Sequence, residues 1–294
     1  MRMDEEEKQT RKQEKAEFRK ELKETFGIFR QKRNQAKSEG TLKAERREVF
    51  RYMFSIREDS ASSEEIRQRL LDGGRVSGTN MCVLVCAIII ASTGLSTNST
   101  AVIIGAMLIS PLMGTILAIA YGTVTADSRT VRKSLIGFLF QMGVSLITST
   151  IFFLLMPSKT ITSELLARTN PSFTDVIVAI AGGIAGIIGQ TRKDKSNNII
   201  PGVAIATALM PPLCTCGFSI ANGHLRMLSG AFYLFVVNTY FIYMSACVIL
   251  MVLRIPQIRE VSETEKKRMI QRMVRTAIFV SLPSIVLGIL MRTA

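Results

Sequence analysis

The sequence predicts an all-α integral membrane protein with about seven transmembrane helices, preceded by a charged cytoplasmic helical region. The first observation is composition, because the 294 residues are 48% hydrophobic despite a net charge of +14. The second is distribution, since the apolar residues form runs of about 18 or more, the length of helix that crosses a bilayer. A single segment in lipid can satisfy its backbone only as a helix. A third observation, a repeated proline motif, indicates how the helices are arranged.

The charged region covers residues 1–78. It contains 20 Lys and Arg against 16 Asp and Glu and has no run of spanning length. Residues 4–37 predict a charged helix with one narrow apolar stripe, which suits packing in an oligomer or docking of a partner. The charge signs alternate, which argues against nucleic-acid binding. Ser62 and Glu65 have the capping-box spacing and predict the start of a short amphipathic helix.

Seven apolar segments make up the predicted transmembrane domain, residues 79–292. With the amino terminus in the cytoplasm, the basic loops 123–133, 191–198 and 254–273 share one side of the membrane, which is the asymmetry that the positive-inside rule describes. We therefore expect a multi-pass protein of the cell inner membrane with a cytoplasmic amino terminus. The segments cover residues 79–95, 101–122, 134–156, 172–190, 199–222, 231–253 and 274–292.

The proline motif occurs twice, in residues 96–122 and again about a hundred residues later. A shift of 101 residues superposes Pro111 on Pro212, and a shift of 97 superposes Gln141 on Asn238. Each proline segment lies between two other apolar segments. The pattern therefore predicts two repeated units of three helices.

The two predicted units cover residues 79–156 and 172–253, and residues 274–292 form an extra helix. Because three is an odd number, the second unit enters the membrane from the opposite side. This inverted repeat is the plan of many secondary transporters. The alternative is a second segment in each unit that re-enters without crossing.

The prolines predict a break in the second helix of each unit. Proline has no N–H to donate and clashes with the preceding turn, and transporter sites form where broken helices meet near the midplane. Neutral hydroxyl, amide and backbone groups are therefore the candidate ligands for a small solute or ion. Simple proline kinks, a turn role for Asn98 and interhelical bonds from the two amides are the structural alternatives. The candidates are Asn98, Ser99, Thr100, Ser110, Pro111, Gln141, Thr207, Pro211, Pro212 and Asn238.

Several classes of function have no support in the sequence. The spans have no charged side chain well inside them, so a carboxylate proton relay is not expected, and a sodium ion, an anion or a small polar solute suits the neutral groups. The five cysteines lie in apolar segments without metal-ligand spacing. There is no phosphate-binding loop, and the single histidine, His224, lies in a loop. We expect no enzyme activity and no cofactor; the expected partners are the lipid bilayer and further copies of the chain.

The two proline motifs also resemble a known family. "IIASTGLSTNSTAVIIGAMLISPLMGTILAIAYG", residues 89–122, and "PGVAIATALMPPLCTCGFSIANG", residues 201–223, are similar to the signature segments of the bacterial and archaeal membrane family catalogued as domain of unknown function 389. The resemblance implies an integral inner-membrane protein of transport-like character with no assigned cofactor. Many relatives begin with a small folded soluble domain, whereas this chain begins with a charged helix. The motif positions carried over are Asn98, Ser99, Thr100, Gly105, Ser110, Pro111, Gly202, Pro211 and Pro212.

The function that the sequence predicts is transport or facilitated passage of a small solute or ion, with a site near the midplane between two proline-broken helices. An ion channel or pore with the same inverted repeat is one alternative. A non-transporting membrane scaffold or sensor that acts through the amino-terminal helix is the other. Substitutions near the prolines should impair a transporter or a pore. Removal of the first 60 residues should impair a scaffold or sensor.

Overall fold

The structure is a computed structural model that describes residues 60–156, 160–169, 172–193, 199–258 and 262–293, with side chains at all of these except 173, 199–208, 263 and 283–293. Its secondary structure is helical, apart from one isolated β-bridge between Ser60 and Arg192. The predicted helix at residues 4–37 lies outside the described residues. The helices are α1 (Ser63–Gly73), α2 (Gly78–Ser96), α3 (Thr100–Leu108), α4 (Leu112–Val124), α5 (Ser128–Leu155), α6 (Ser163–Ala167), α7 (Phe173–Thr191), α8 (Ile199–Asn222), α9 (Leu225–Val252) and α10 (Glu263–Thr293).

The predicted apolar segments all lie in helices, and several of these are suited to a membrane. Among the described residues, α2, α5, α7 and α9 are long and apolar enough to cross a bilayer. Helices α3 and α4 make a fifth span if the bent pair counts as one. Helices α8 and α10 cover the other two predicted segments. The protein is therefore an all-α, membrane-embedded protein with four to five such helices in the described part.

Three turns between consecutive apolar helices share one geometry. After α2, α4 and α8 the chain takes a positive φ, of 54° at Asn98, 57° at Ala126 and 73° at Gly223. In each turn the next N–H bonds to the carbonyl five residues earlier, which satisfies a carbonyl that the helix end leaves open. These bonds join Ser99 to Gly94 at 2.8 Å, Asp127 to Gly122 at 2.8 Å and His224 to Ser219 at 2.9 Å.

The loops gather in two groups, at the two ends of the helices. At the first end, Thr162 Oγ1 donates to Leu95 O at 2.7 Å, which joins the segment 160–169 to the turn after α2. At the second end, Ile258 N donates to Thr125 O at 3.0 Å and Ala61 N donates to Thr191 O at 2.7 Å. We call these groups the Asn98 end and the Thr125 end. These contacts join the turn after α2 to the segment 160–169, and the turn after α4 to the residues that follow α9.

Helix α1 begins as its capping pattern predicts. Ser62 Oγ accepts from Glu65 N at 3.2 Å, and Ile66 and Leu70 are each 2% exposed. The predicted amphipathic helix is therefore confirmed. Since α1 packs against α4, its apolar edge is covered by the transmembrane part of the protein.

Two further contacts fix α1 in place. Its last residue, Gly73, lies so close to Gly114 of α4 that a methyl group on Gly114 would collide with the Gly73 carbonyl. Arg69 Nη1 donates to Arg192 O at 2.5 Å, directly after the last residue of α7. A cation is favoured at this end of a helix by the aligned peptide dipoles. Helix α1 is thus attached to both α4 and α7.

Small residues allow the closest approaches between spanning helices. A methyl group on Gly183 of α7 would collide with Ser245 Oγ and would lie 2.9 Å from Ile242 Cα of α9. On α8, a methyl group at Gly217 would lie 2.5 Å from Ser149 Cβ of α5. In an apolar medium, helices associate mainly through such close van der Waals contact, because lipid tails are as apolar as the side chains. Gly183 and Gly217 therefore determine how near these two helix pairs come.

Replacement of Gly183 by alanine tests this packing. Because the nearest atoms include the backbone of Ile242, which cannot rotate away, we expect Gly183→Ala to lower the free energy of unfolding by about 1–3 kcal/mol. Thermal unfolding of the detergent-purified protein measures the change. The matched control is Gly143→Ala on α5, where an added methyl group meets nothing within 4 Å. Equal midpoints for the two variants would show that the α7–α9 contact is not a tight one.

Asp127 provides a pH-dependent test at the Thr125 end, outside the spans. Its carboxylate accepts from the Thr130 hydroxyl at 2.6 Å and from the N–H groups of Arg129 and Thr130 at 3.1 and 3.2 Å. The bond from the Thr130 hydroxyl is the main cause of a pKa below the ordinary value. A pKa that is lower in the folded state stabilises the fold above the unfolded-state pKa, and this stabilisation is lost as the pH falls through the folded-state pKa.

We therefore expect Asp127→Ala to destabilise the protein by about 1 kcal/mol at neutral pH. The difference from the parent protein should shrink in acid, because the parent's carboxylate is then protonated. Asp127→Asn keeps a side-chain oxygen at the helix start and should retain most of the stability at every pH. Unfolding midpoints between pH 3 and pH 7 measure both effects. A difference independent of pH would contradict a role for the carboxylate charge.

Candidate solute site

The helix break lies at Ile109–Pro111, between α3 and α4. The two helices are bent by 49° there. The end of α3 is tightened by bonds from Ile109 N to Ala106 O at 3.4 Å and from Ser110 N to Met107 O at 3.3 Å. Pro111 stands at the cap position of α4 and provides no side-chain acceptor. The start of α4 therefore lacks the capping bond that most helices have.

The second predicted break is wrong. Helix α8 runs without interruption from Ile199 to Asn222 and contains Pro211 and Pro212. The residues from 209 to 219 are all buried, so packing holds this helix together on every side. A proline removes only the bonds of its own turn, whereas opening the helix in an apolar environment would leave more backbone groups unsatisfied. At the first break, Leu108 and Ile109 are 44% and 45% exposed, and no such packing encloses the chain.

A buried amide lies beside the start of α4. Gln141 of α5 is completely buried, and its Oε1 accepts from Thr115 Oγ1 at 3.1 Å. The same hydroxyl hydrogen is shared with Leu112 O, in the first turn of α4, which is the nearer acceptor at 2.7 Å. The Gln141 Nε2 group has no hydrogen-bond partner among the described residues. The break, Thr115 and Gln141 therefore form one local group of polar atoms, which we call the Gln141 site.

Helix α5 continues this polar face with two buried serines. Ser145 and Ser149 follow Gln141 at intervals of one helical turn, and both are completely buried. Ser145 Oγ donates to the backbone carbonyl of Gln141, one turn earlier in the same helix, at 2.8 Å. Ser149 Oγ donates to Cys214 O of α8 at 3.0 Å and lies 3.3 Å from Ser92 Oγ of α2. These hydroxyls have partners within the protein. They bind neighbouring helices, and Gln141 alone of the three keeps an unused donor.

The first motif residues lie elsewhere. Asn98 Oδ1 accepts from Ser163 Oγ at 2.9 Å and from Glu164 N at 3.1 Å, and Thr100 Oγ1 donates to Glu164 Oε1 at 2.5 Å. These bonds fasten the turn after α2 to α6 at the Asn98 end. Helix α3 separates Thr100 from the break by about 13 Å. Asn98, Ser99 and Thr100 are therefore not brought together with Pro111 and Gln141.

The other candidates differ in their position relative to the Gln141 site. Ser110 lies in the break itself, 3.5 Å from Leu112 N. Asn238 is 3% exposed on α9, one turn beyond Phe235, whose ring stacks on Phe138 of α5 with centroids 6.0 Å apart. The side chain of Thr207 is not among those described. Its carbonyl precedes Pro211 by four residues and so loses its usual helical partner.

The sequence reasoning did not select several residues that the structure makes important. Ser92, Ser145 and Ser149 are buried and bonded around α5. The spacing of Gln141, Ser145 and Ser149, four residues apart in an apolar helix, was the available signal for a polar face. Their partners on α2, α4 and α8 depend on tertiary packing and leave no pattern in the sequence. In the described part of the chain, no three His, Cys, Asp or Glu residues are grouped as metal ligands would be.

Comparison with known proteins finds a similarity to one family model and to one archaeal protein. Residues 107–244 match the family model described as Domain of unknown function (DUF389). An uncharacterized protein of Methanocaldococcus jannaschii is 31% identical over 186 residues, which are 63% of this chain and 58% of the relative. The chain thus spans less than two thirds of that relative's length. No solved structure matches the chain. The matched residues include Pro111, Gln141 and Pro212, so residues 107–244 are similar to the same domain of unknown function 389 that the proline motifs resemble.

Proposed function

We propose that the protein is a membrane transporter or facilitator of a small solute or ion, and that the Gln141 site is where the solute binds. The observation that carries the proposal is the unused Nε2 donor of a completely buried Gln141 beside a helix break. An unpaired buried donor costs free energy, and a solute that accepts its hydrogen bond would offset this cost. The proposed site involves one broken helix and not two, because α8 is continuous.

The lengths of the helices support the inverted repeat. Helices α2 and α7 both have 19 residues, and α5 and α9 both have 28. Ser128 and Leu225, which begin α5 and α9, are 97 positions apart, and so are Leu155 and Val252, which end them. The same shift superposes Gln141 on Asn238. Between these helices, α3 and α4 in the first unit correspond to the single helix α8 in the second.

The packing of the helices supports the same symmetry. Helix α8 packs against α5, and α4 packs against α9, so the second helix of each unit contacts the third helix of the other. The stacked rings of Phe138 and Phe235 belong to positions that the shift of 97 makes equivalent, and they are parallel to within 3°. Equivalent residues meet in this way beside a two-fold axis. In transporters built on inverted repeats, the solute site lies near such an axis.

The charge distribution supports a cytoplasmic position for the Thr125 end in a cell inner membrane. Basic residues next to the spans are concentrated there, and cytoplasmic loops carry such an excess. Helix α1 meets the rest of the protein at the same end. The basic residues at this end include Arg129, Arg132, Lys133, Arg192, Lys193 and Arg254.

Osmotic swelling of proteoliposomes tests the function. We expect vesicles with the protein to swell faster than protein-free vesicles in isotonic solutions of at least one class of solute among sodium and potassium salts, small anions and neutral polyols. Gln141→Met should reduce that rate by at least about tenfold, because it removes the amide and keeps the length of the side chain. The dependence of the swelling rate on solute concentration should also distinguish a carrier, whose rate saturates, from a pore, whose rate does not.

The matched control for this test is Ser245→Ala. Ser245 is 3% exposed, and among the described residues its hydroxyl bonds to carbonyls of its own helix, Phe241 O and Ile242 O, at 2.8 and 3.0 Å. The substitution Ser245→Ala should leave the rate of swelling unchanged. An unchanged rate for Gln141→Met would move the site elsewhere. Swelling no faster than in protein-free vesicles for every solute would favour the scaffold or sensor.

Two substitutions at the same site should change stability with different signs. Gln141→Met removes a buried donor without a partner, so we expect an unfolding midpoint equal to or above that of the parent. Thr115→Val removes the hydroxyl that bonds Gln141 Oε1 and leaves the whole amide buried without a partner. It should cost about 1–3 kcal/mol. Thermal unfolding in detergent measures both, and a large loss of stability in Gln141→Met would show that its amide is structural.

A further inference from the structure

The start of α4 is an unusual helix terminus. This helix has 13 residues, no side-chain capping bond and no acidic residue in its first turn. The first N–H groups of a helix have no partner within it, and the aligned peptide dipoles give this end about half a unit of positive charge. Leu112, the first residue, is 1% exposed, and its N–H reaches only Ser110 Oγ at 3.5 Å. Gly114 N bonds to Pro111 O at 3.2 Å, and the Gly73 carbonyl at the end of α1 lies against Gly114. The buried Leu112 N–H is therefore a weakly bonded donor at the start of α4.

An independent observation points to a ligand at this place. The Gln141 carboxamide is held against the first turn of α4 through Thr115, whose hydroxyl contacts both Gln141 Oε1 and Leu112 O. Its Nε2 group is completely buried and has no acceptor among the described residues. Amide hydrogens and the positive helix end are thus adjacent. Both favour a ligand with negative charge and free lone pairs.

The carboxyl end of α3 does not offer an equal site for a cation. Ile109 N and Ser110 N occupy the carbonyls of Ala106 and Met107, and Leu108 and Ile109 are among the more exposed residues of the break. In the described residues of α3, α4 and α5 there is no Asp or Glu side chain to hold a cation. The two ends of the break are therefore unequal, and the buried end is the positive one.

We propose that the Gln141 site binds a small monovalent anion, held by the N–H groups at the start of α4 and by Gln141 Nε2. This inference deepens the proposed transport function and rests on it for the location of the site. A single negative charge matches the half unit of positive charge at the helix end and the absence of Lys and Arg from the described part of the break. A divalent anion would have no basic side chain to neutralise it, and burial of its charge would be costly.

Thermal unfolding of the full-length protein at constant ionic strength tests the sign of the ligand. Nitrate, formate and acetate are added as salts of N-methylglucamine, in exchange for the bulky anion gluconate, and sodium gluconate is the cation probe. We expect a saturable rise of the unfolding midpoint with at least one of the three anions and none with sodium. Gln141→Met should weaken the apparent affinity about tenfold or more, because a hydrogen bond to a charged ligand is lost. Ser245→Ala should respond like the parent.

A second variant distinguishes an anion from a cation. In Gln141→Glu the carboxyl can donate while protonated, so the anion response should persist at low pH and disappear as the pH rises and the group ionises. A saturable response to sodium that strengthens with pH in Gln141→Glu would overturn the anion while leaving the transport function intact. No response of the folded parent to any of the three anions would also overturn it, whatever the flux experiment shows. An anion response that Gln141→Met leaves unchanged would place the anion at another site.

Discussion

A backbone N–H or C=O group that loses its hydrogen bond in an apolar environment has no water to replace the partner. This constraint accounts for most of the structure. It requires the apolar segments to be helical, and it explains the closed turns after α2, α4 and α8, where the chain accepts a positive φ to satisfy a terminal carbonyl. It also explains why α8 remains a helix through two prolines, since interruption would free more groups than the prolines themselves remove. The interruption before α4 is the exception, and the polar side chains of Ser110, Thr115 and Gln141 lie beside it.

Hydroxyl groups inside the helix bundle follow the same constraint. Thr215 bonds to Pro211 O at 2.9 Å, and Ser219 bonds to Thr215 O at 2.7 Å, so these side chains are satisfied within their own helix. Ser149 bonds to a neighbouring helix at the place where Gly217 allows close approach. Buried polarity in this part of the protein is thus mostly structural, and hydroxyl content alone does not locate a site. Gln141 differs because an amide has more hydrogens than its surroundings accept.

The two units of the proposed repeat differ from each other at the proposed site. Equal helix lengths and the stacked pair Phe138 and Phe235 favour two equivalent units, yet only the first unit has an interrupted second helix. A glutamine on α5 corresponds to an asparagine on α9, so the equivalent amides differ in length. Among the described residues, the proposed symmetric framework has one break within a second helix, and the buried amide of Gln141 lies beside the helix start that this break creates. This is the physical basis for assigning a ligand of one sign to the Gln141 site.

The sequence by itself determined the helical class, the segments that form helices, the start of α1 at Ser62 and the similarity of residues 107–244 to a domain of unknown function. These features depend on local composition, capping and hydrophobic length, which one chain displays directly. Tertiary structure decided which proline segment interrupts its helix, because α8 stays helical through two prolines within close packing, whereas the single Pro111 follows the exposed residues Leu108 and Ile109. It also decided that Asn98 holds a terminal turn while Gln141 meets Thr115. Such pairings depend on which helices become neighbours, and that is set by close contacts of residues such as Gly217 and Gly183 with side chains far away in the chain.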